Sequence, residues 1–185
     1  MADFAPDLVR VVDARPRATF EGIVFRHLGP GHSSSSGEGA RIRGGRWNPA
    51  ESFPTLYLAL SMDTVVAEFY RLAERQGMPP ENLLPRRVQT YGVELQAVLD
   101  LREFAARQEL GLSDAVIAGD DPTLCQSVGD AAHDGGFEAV LPPSATGIGL
   151  VLAVFVDRMT AGSIVRPDSF EVWELLPPRP GRDSE

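Results

Sequence analysis

The segment 39–49, GARIRGGRWNP, carries residue types suited to binding an anion. It places Arg41, Arg43 and Arg46 among glycines, and Trp47 follows the last arginine directly. Glycines let a backbone approach a ligand closely, and guanidinium groups match the oxygens of a phosphate. The indole ring of Trp47 offers a flat face for stacking on a base. The spacing therefore favours a phosphate-binding loop, with a solvated loop and a packed tryptophan as the alternative.

Glu68 is a carboxylate that the sequence pattern places beside a buried surface. Residues 63–76 have helical periodicity, and Val65 and Phe69 mark the apolar side of this predicted helix. At about 100° per residue, Glu68 falls beside that side rather than opposite it. A half-buried acid needs a reason. It can form an i,i+3 ion pair with Arg71, or it can stabilise a sugar cation during glycosidic cleavage.

Two further side chains have a position that suits a site. In TLYLAL (55–60), period-two alternation puts Tyr57 on the face opposite the leucines, so it faces a cleft or another layer. A core or edge tyrosine is the alternative. In LPPSATG (141–147), Ser144 follows an apolar strand, a place where sites are often built. An ordinary turn serine is the simpler interpretation of that position.

Familiar cofactor and metal patterns are missing from the sequence. It has no Walker A segment, no G-x-G-x-x-G between a strand and a helix, and no G-x-S-x-G elbow. His27, His32 and His133 lack metal-ligand spacing. Cys125 lies among apolar neighbours in a predicted helix and is interpreted as core. We therefore expect no metal and no bound redox cofactor.

The elements that must position these residues are predicted from periodicity and from turn signals. Residues 29–53 are predicted to be a long connection, and residues 7–14 fit either a helix or a strand. Strands exceed helices and the two are interspersed, which indicates an α+β domain with a mixed β-sheet core. Strands are predicted at 22–28, 55–60, 87–95, 98–101, 138–141, 149–156 and 170–176, and helices at 63–76, 102–110 and 121–135.

The length of the chain indicates the number of domains, and its charge indicates which kinds of ligand it can bind. The 185 residues suit a single domain spanning 1–185, with 178–185 predicted to be a flexible tail. The net charge of −9 argues against direct nucleic-acid binding. Residues 1–50 nevertheless hold seven arginines against five acidic residues, and the chain contains no lysine. An arginine-rich front end can hold a small anion, although arginine is also the chain's only basic residue type besides histidine.

The sequence predicts a protein of the cytoplasm. Its N-terminus lacks the apolar region of a secretory signal, and the apolar run 147–156 is too short to cross a bilayer. The single cysteine, Cys125, excludes an intrachain disulfide and fits a reducing compartment.

Taken in order, these segments resemble the RES domain family. The family pattern has an arginine after an aromatic strand residue, then GGRWNP, LYLA, a helical glutamate and a late proline-serine turn. The resemblance covers about residues 22–156, most of the chain. In this sequence the segments read Phe25-Arg26, GGRWNP (44–49), LYLA (56–59), Ala67-Glu68 and Pro143-Ser144.

The resemblance implies a toxin of a toxin–antitoxin pair with a fold like that of ADP-ribosyltransferase toxins. It implies degradation of NAD⁺ by phosphorolysis to ADP-ribose-1″-phosphate and nicotinamide, with inorganic phosphate as co-substrate. The implied partner is an antitoxin of the Xre helix-turn-helix type that occludes the active site, and a homodimer within a larger complex is compatible with it. A mono-ADP-ribosyltransferase acting on a protein and a non-catalytic NAD-binding module are the alternatives.

The resemblance also implies roles for individual residues. Glu68, Arg46 and Ser144 form the expected catalytic set. Glu68 stabilises positive charge on the ribose, and Ser144 hydrogen-bonds near the reacting sugar or phosphate. The expected substrate-binding set comprises Arg26 and Arg46 at the phosphates, Tyr57 at the nicotinamide end, and Trp47 and Arg43.

Overall fold

Six strands form one sheet, and five of them close into a ring. The computed structural model describes residues 5–32 and 35–181. Following β1 around the ring, the strand order is β1-β2-β5-β4-β3, and β3 also pairs with β1. β3 and β4 are parallel, and the other neighbouring strands are antiparallel. The predicted α+β class with a mixed sheet is confirmed. The strands are β1 (Ala18–Leu28), β2 (Thr55–Ala59), β3 (Arg86–Asp100), β4 (Ala139–Leu141), β5 (Val151–Phe155) and β6 (Ile164–Trp173).

Apolar side chains from all five strands fill the inside of the ring. β3 is the longest strand of the ring. One of its edges pairs with β1, and the other pairs first with β6 and then with β4. This interior excludes water and fixes the relative positions of β1 and β2. The buried residues are Val24, Leu56, Leu58, Tyr91, Val93, Leu95, Val98, Ala139, Leu141, Leu152 and Val154.

Helices cover the outside of the ring in two places. α1, α5 and α6 build a second core that includes Trp47, Phe155 and the buried free thiol of Cys125. α3 packs on β1, β2 and the segment after β6 through Val65, Phe69 and their neighbours. Among the described residues, no helix combines the length and apolarity that crossing a membrane requires. The helices are α1 (Ala5–Asp13), α2 (Glu38–Arg43), α3 (Met62–Gln76), α4 (Phe104–Gln108), α5 (Asp114–Ala118) and α6 (Thr123–Asp134).

The ends of α3 agree with the residues that predicted it. The hydroxyl oxygen of Ser61 accepts a hydrogen bond from the backbone N–H of Thr64 at 3.2 Å, so Ser61 is the N-cap. Gly77 ends the helix in the left-handed conformation, at φ 62°. Both ends of the helix that carries Glu68 are therefore fixed by local sequence.

Several predicted boundaries were wrong. The connection 29–53 contains α2, and β3 is continuous where two strands were predicted. The helix predicted at 102–110 is the shorter α4, the one at 121–135 begins only at Thr123, and α5 was not predicted. The last strand occupies 164–173 rather than 170–176, because an edge strand with mostly exposed residues has no clear alternation. The ambiguous residues 7–14 belong to α1.

The predicted tail 178–185 is anchored at its start. The Tyr70 hydroxyl donates a hydrogen bond to the Pro177 carbonyl at 2.6 Å. The Arg179 guanidinium lies 4.1 Å from the centre of the Tyr70 ring and 3.6 Å from the Glu74 carboxylate. The segment up to Gly181 therefore lies against α3, and residues 182–185 fall outside the described residues.

Glu138 fastens the loop before β6 to the ring. Its fully buried carboxylate accepts hydrogen bonds from the backbone N–H groups of Gln96, Ala97 and Thr160 and from the hydroxyls of Thr160 and Ser163. Burial alone would raise the pKa of Glu138. The hydrogen bonds outweigh burial and hold this pKa below its ordinary value.

We expect Glu138→Gln to lower the free energy of unfolding at neutral pH by about 1.5–3 kcal/mol, because hydrogen bonds to a charged acceptor are lost and the new amide N–H faces other donors. The folded-state pKa of Glu138 is lowered, so its contribution is complete above the unfolded pKa. The contribution shrinks as pH falls through the folded pKa. Urea unfolding at a series of pH values measures both effects. The exposed Glu21→Gln is the control, and equal stability of the two variants would contradict this prediction.

Candidate active site

A cavity of about 340 Å³ opens between β1 and β2. These strands share a single residue pair, Phe25 with Ala59. Beyond that pair the walls come from Arg26 and His27 of β1, from Tyr57 and Leu58 of β2, from the segment after α2 and from one face of α3. The volume lies within the range of about 300–1,000 Å³ that is usual for small-molecule sites.

Five arginines and one carboxylate line this cavity. Arginines elsewhere do form ion pairs, for example Arg41 with Glu38 and Arg107 with Asp114. Within the part of the chain that the structure describes, none of the cavity arginines pairs with a carboxylate. The cavity therefore concentrates unneutralised positive charge in an acidic protein, which suits an anionic ligand. The charged lining residues are Arg26, Arg43, Arg46, Arg71, Arg75 and Glu68.

Two of these guanidinium groups contain buried nitrogens without a partner. Nη1 of Arg26 and Nη1 of Arg46 are buried and make no hydrogen bond. Each such donor costs about 1–3 kcal/mol when it stays unsatisfied. Burial also lowers the pKa of Arg26, against the opposing effect of the nearby Tyr91 hydroxyl. Both residues also line the cavity, so an anion bound there would meet their positive charge.

His27 is a neutral member of the cavity wall. Burial, together with the positive charges of Arg86 and Arg26, lowers the pKa of His27 to about 3. Nε of Arg86 donates to Nδ1 of His27 at 3.2 Å, which leaves the ring proton on Nε2. The five arginines therefore carry the positive charge of this cavity at neutral pH.

The GGRWNP segment is held by the Tyr57 hydroxyl. This oxygen accepts from the Trp47 backbone N–H at 2.8 Å and donates to Oδ1 of Asn48 at 2.7 Å. The buried Asn48 amide donates in turn to the Ala40 carbonyl at 2.8 Å. Burial raises the pKa of Tyr57, so the phenol stays protonated. A Cβ atom on Gly45 would collide with the Tyr57 ring, so this position has no room for a side chain.

Trp47 contributes mainly to packing. Its side chain is only 2% exposed and belongs to the core beneath α6. The ring borders the cavity, but this burial leaves little surface for the predicted stacking on a base. Gly129 of α6 is pressed against the Trp47 backbone and has no space for a Cβ. The residue therefore fixes Arg46 by anchoring the neighbouring backbone.

A chain of hydroxyl groups orients Glu68. The Ser144 hydroxyl donates to Oε1 of Glu68 at 2.6 Å and lies 2.7 Å from Oγ1 of Thr146. Because the Ser144 proton is already used, Thr146 is the donor in the second bond. The backbone N–H of Ile148 donates to Oγ1 of Thr146 at 3.2 Å. The Ser144 hydroxyl is thus held in place by Thr146 and fixes the direction of the Glu68 carboxylate.

The structure brings most of the predicted site residues to one cavity. Arg26, Arg43, Arg46, Tyr57 and Glu68 all line it. The alternative ion pair of Glu68 with Arg71 does not form, because Nη2 of Arg71 donates to the Ala118 carbonyl at 3.1 Å.

Ser144 lies behind Glu68. It is only 3% exposed and is not among the residues that line the cavity, and its hydroxyl bonds the Glu68 carboxylate, so its role beside the reacting sugar or phosphate stays a prediction.

Sequence reasoning missed four contributors to the site. Asn48 lies within GGRWNP and was not singled out, although its amide ties this segment together. Thr146 follows Ser144 by two residues and completes the hydroxyl chain. Arg71 and Arg75 follow Glu68 at i+3 and i+7, a spacing that places them on the same helix face.

The arrangement can bind a phosphorylated ligand and cleave a bond that leaves positive charge behind. The arginines supply donors for phosphate oxygens. A fixed carboxylate beside them can stabilise a developing sugar cation.

Comparisons with known proteins agree with this chemistry. The family model described as RES domain matches residues 23–174. The chain is 39% identical to NAD(+) phosphorylase MbcT of Mycobacterium tuberculosis over 171 residues, which cover 91% of this chain and 92% of the relative. It is also 32% identical to "Probable NAD(+) phosphorylase Rv3189" of the same organism. That alignment spans 174 residues and covers 93% of this chain and 81% of the relative.

A solved structure has the same fold. A chain in the crystal structure of the M. tuberculosis MbcT-MbcA toxin–antitoxin complex matches with a TM-score of 0.81 and 34% identity. The match covers 90% of this chain and 92% of that chain.

We expect inorganic pyrophosphate to raise the melting temperature of the protein, because its charge is attracted to the guanidinium groups of Arg26 and Arg46 in the cavity. At a hundredfold excess over its Kd, such a ligand adds about 2.7 kcal/mol of stability. Arg46→Gln should lose most of the shift, whereas Arg41→Gln, whose arginine pairs with Glu38 outside the cavity, should keep it. Thermal unfolding with and without pyrophosphate measures the difference. The same shift in both variants would exclude this site.

Proposed function

The chain belongs to the RES domain family, and from this premise we propose that it degrades NAD⁺ as a phosphorylase. The reaction cleaves the bond between nicotinamide and ribose and transfers ADP-ribose to inorganic phosphate. The observation that carries the proposal is the cavity with five arginines that lack carboxylate partners around one oriented carboxylate, Glu68. NAD⁺ and phosphate are substrates here, and the reaction uses no resident cofactor.

The arginines from β1 and the GGRWNP segment bind the diphosphate of NAD⁺. Arg26 and Arg46 line the cavity without a carboxylate partner among the described residues, so their guanidinium groups are free to bind phosphate oxygens. Arg43 is exposed at the cavity edge and adds long-range attraction. Tyr57 lines the wall beside Arg46 and packs against the nicotinamide end. Binding through remote phosphates then positions the ribose against Glu68.

Glu68 acts on the ribose as the glycosidic bond breaks. The electron pair of the C1″–N bond moves to the ring nitrogen of nicotinamide, which leaves as a neutral molecule. No general acid is needed, because the leaving group is cationic before cleavage. The Glu68 carboxylate stabilises the cation that develops on the sugar. A phosphate oxygen then forms the new bond to C1″.

A protein that consumes NAD⁺ must be restrained in the cell that makes it. We propose a cognate antitoxin of the helix-turn-helix Xre type that covers the cavity and presents a carboxylate to Arg26 and Arg46. The support is the match to a chain of a toxin–antitoxin complex and the unneutralised cavity charge. Its substrates place the proposed activity in the cytoplasm, and a dimer of this chain within the larger complex is part of the same proposal.

Glu68→Gln should reduce the rate of NAD⁺ loss by about a hundredfold or more, because the charge that stabilises the sugar cation is removed. The amide can still accept the Ser144 hydrogen bond, so the melting temperature should change little. Mass spectrometry of products formed from NAD⁺ and phosphate measures the activity, with the exposed Glu94→Gln as control.

The products also test the proposed function as a whole. ADP-ribose-1″-phosphate formed in proportion to phosphate supports phosphorolysis. ADP-ribose alone would indicate hydrolysis, and label fixed on a protein would indicate ADP-ribosylation. Activity at the wild-type rate in Glu68→Gln would remove the mechanism.

Ser144→Ala should lower kcat by about tenfold with little change in the KM for NAD⁺, because about 1.4 kcal/mol of orientation is lost from Glu68 and not from the phosphate contacts. The matched control is Ser127→Ala, since the Ser127 hydroxyl bonds only the Thr123 carbonyl on the surface of α6. Steady-state kinetics separate the two constants. A rise in KM with an unchanged kcat would place Ser144 in binding instead.

A further inference from the structure

Glu68 shares its face of α3 with two arginines whose role the proposed reaction leaves open. Arg71 and Arg75 follow it at i+3 and i+7, and both line the cavity. Among the described residues neither forms an ion pair with a carboxylate, and the one hydrogen bond of Arg71 goes to the exposed Ala118 carbonyl. α3 therefore presents one carboxylate and two guanidinium groups to the same cavity.

The charges in the cavity exceed what a dinucleotide can neutralise. Five guanidinium groups face one carboxylate there. The diphosphate of NAD⁺ carries two negative charges, and its nicotinamide ring carries a positive one. A second anion is needed to balance the site. Arg26 and Arg46 are assigned to the diphosphate and Arg43 is exposed at the cavity edge, so the arginines of α3 remain for that anion.

A second cavity opens on the other side of Arg71. It has a volume of about 240 Å³ and is lined by Arg71, Tyr70, Thr146 and Arg179, among others. Arg71 is the residue that both cavities share. Thr146 of this second cavity is joined to Glu68 through the Ser144 hydroxyl. The second cavity also contains one carboxylate, Glu74, which lies 3.6 Å from Arg179, so Arg71 is its cation without a carboxylate partner among the described residues.

We propose that Arg71, assisted by Arg75, forms the binding subsite for the acceptor phosphate beside Glu68. This inference rests on the proposed phosphorolysis. A phosphate dianion next to an ionised carboxylate is repelled, and a guanidinium one helical turn from that carboxylate offsets the repulsion. Once the C1″–N bond has broken and its electron pair has left with nicotinamide, an oxygen of the bound phosphate forms the C1″–O bond.

The test is a matrix of initial rates over NAD⁺ and inorganic phosphate concentrations. Arg71→Gln should raise the KM for phosphate about tenfold or more, the loss expected for a charge-assisted contact. The KM for NAD⁺ should stay unchanged. The KM for phosphate of Arg71→Lys should lie between those of the wild type and Arg71→Gln, because lysine keeps the charge and loses the planar guanidinium. Arg75→Gln should raise the KM for phosphate less, and the control Arg41→Gln should leave both constants at wild-type values.

Each outcome separates this inference from the proposed function. If the wild-type rate of NAD⁺ loss does not depend on phosphate, the phosphorylase itself is excluded. If the wild-type rate depends on phosphate while Arg71→Gln keeps the wild-type KM for phosphate, only the subsite is overturned. An equal rise in both KM values would assign Arg71 to the dinucleotide and would also overturn the subsite. Unchanged melting temperatures show that the variants are folded.

Discussion

The structure is organised around positive charge that it does not neutralise. A chain with a net charge of −9 holds five arginines in one cavity without pairing them to its own carboxylates within the described residues. Two of these arginines contain buried donors without acceptors, at a cost of about 1–3 kcal/mol each. Such a cost persists only where the surrounding backbone is fixed. Here the closed ring fixes Arg26, and the Tyr57–Asn48 contacts fix Arg46.

The pairing of β1 both completes the ring and leaves space for the cavity. β1 pairs with β3 along most of its length but with β2 at only one residue pair, Phe25 with Ala59. The ring is therefore continuous, yet the β1–β2 seam leaves room for a ligand. α3 lies across that seam, with Val65 and Phe69 buried and Glu68 turned toward the opening. Tyr57 of β2 therefore has two roles: its side chain lines the cavity, and its hydroxyl holds the GGRWNP segment.

Local sequence signals predicted the parts of the site that local structure controls. Periodicity located α3 and placed Glu68 beside its buried side, and alternation put Tyr57 away from the leucine face. Contacts distant in sequence could not be predicted in this way. The Ser144–Glu68 bond joins residues 76 positions apart, and the burial of Trp47 depends on Gly129 of α6. α2 was missed because its short sequence is enclosed by glycines that indicate a loop.

The hydroxyl chain orients the Glu68 carboxylate, and the arginines of α3 provide positive charge for an anionic acceptor beside it. Stabilising a sugar cation needs a carboxylate that is fixed in place, and the Ser144 hydroxyl, itself bonded to Thr146, fixes the direction of Glu68. An ionised carboxylate also repels an anionic acceptor, which would favour water. In the proposed subsite, the guanidinium groups on the same helix face offset that repulsion. With Arg71 one turn from Glu68, this subsite would favour phosphate over water as the acceptor.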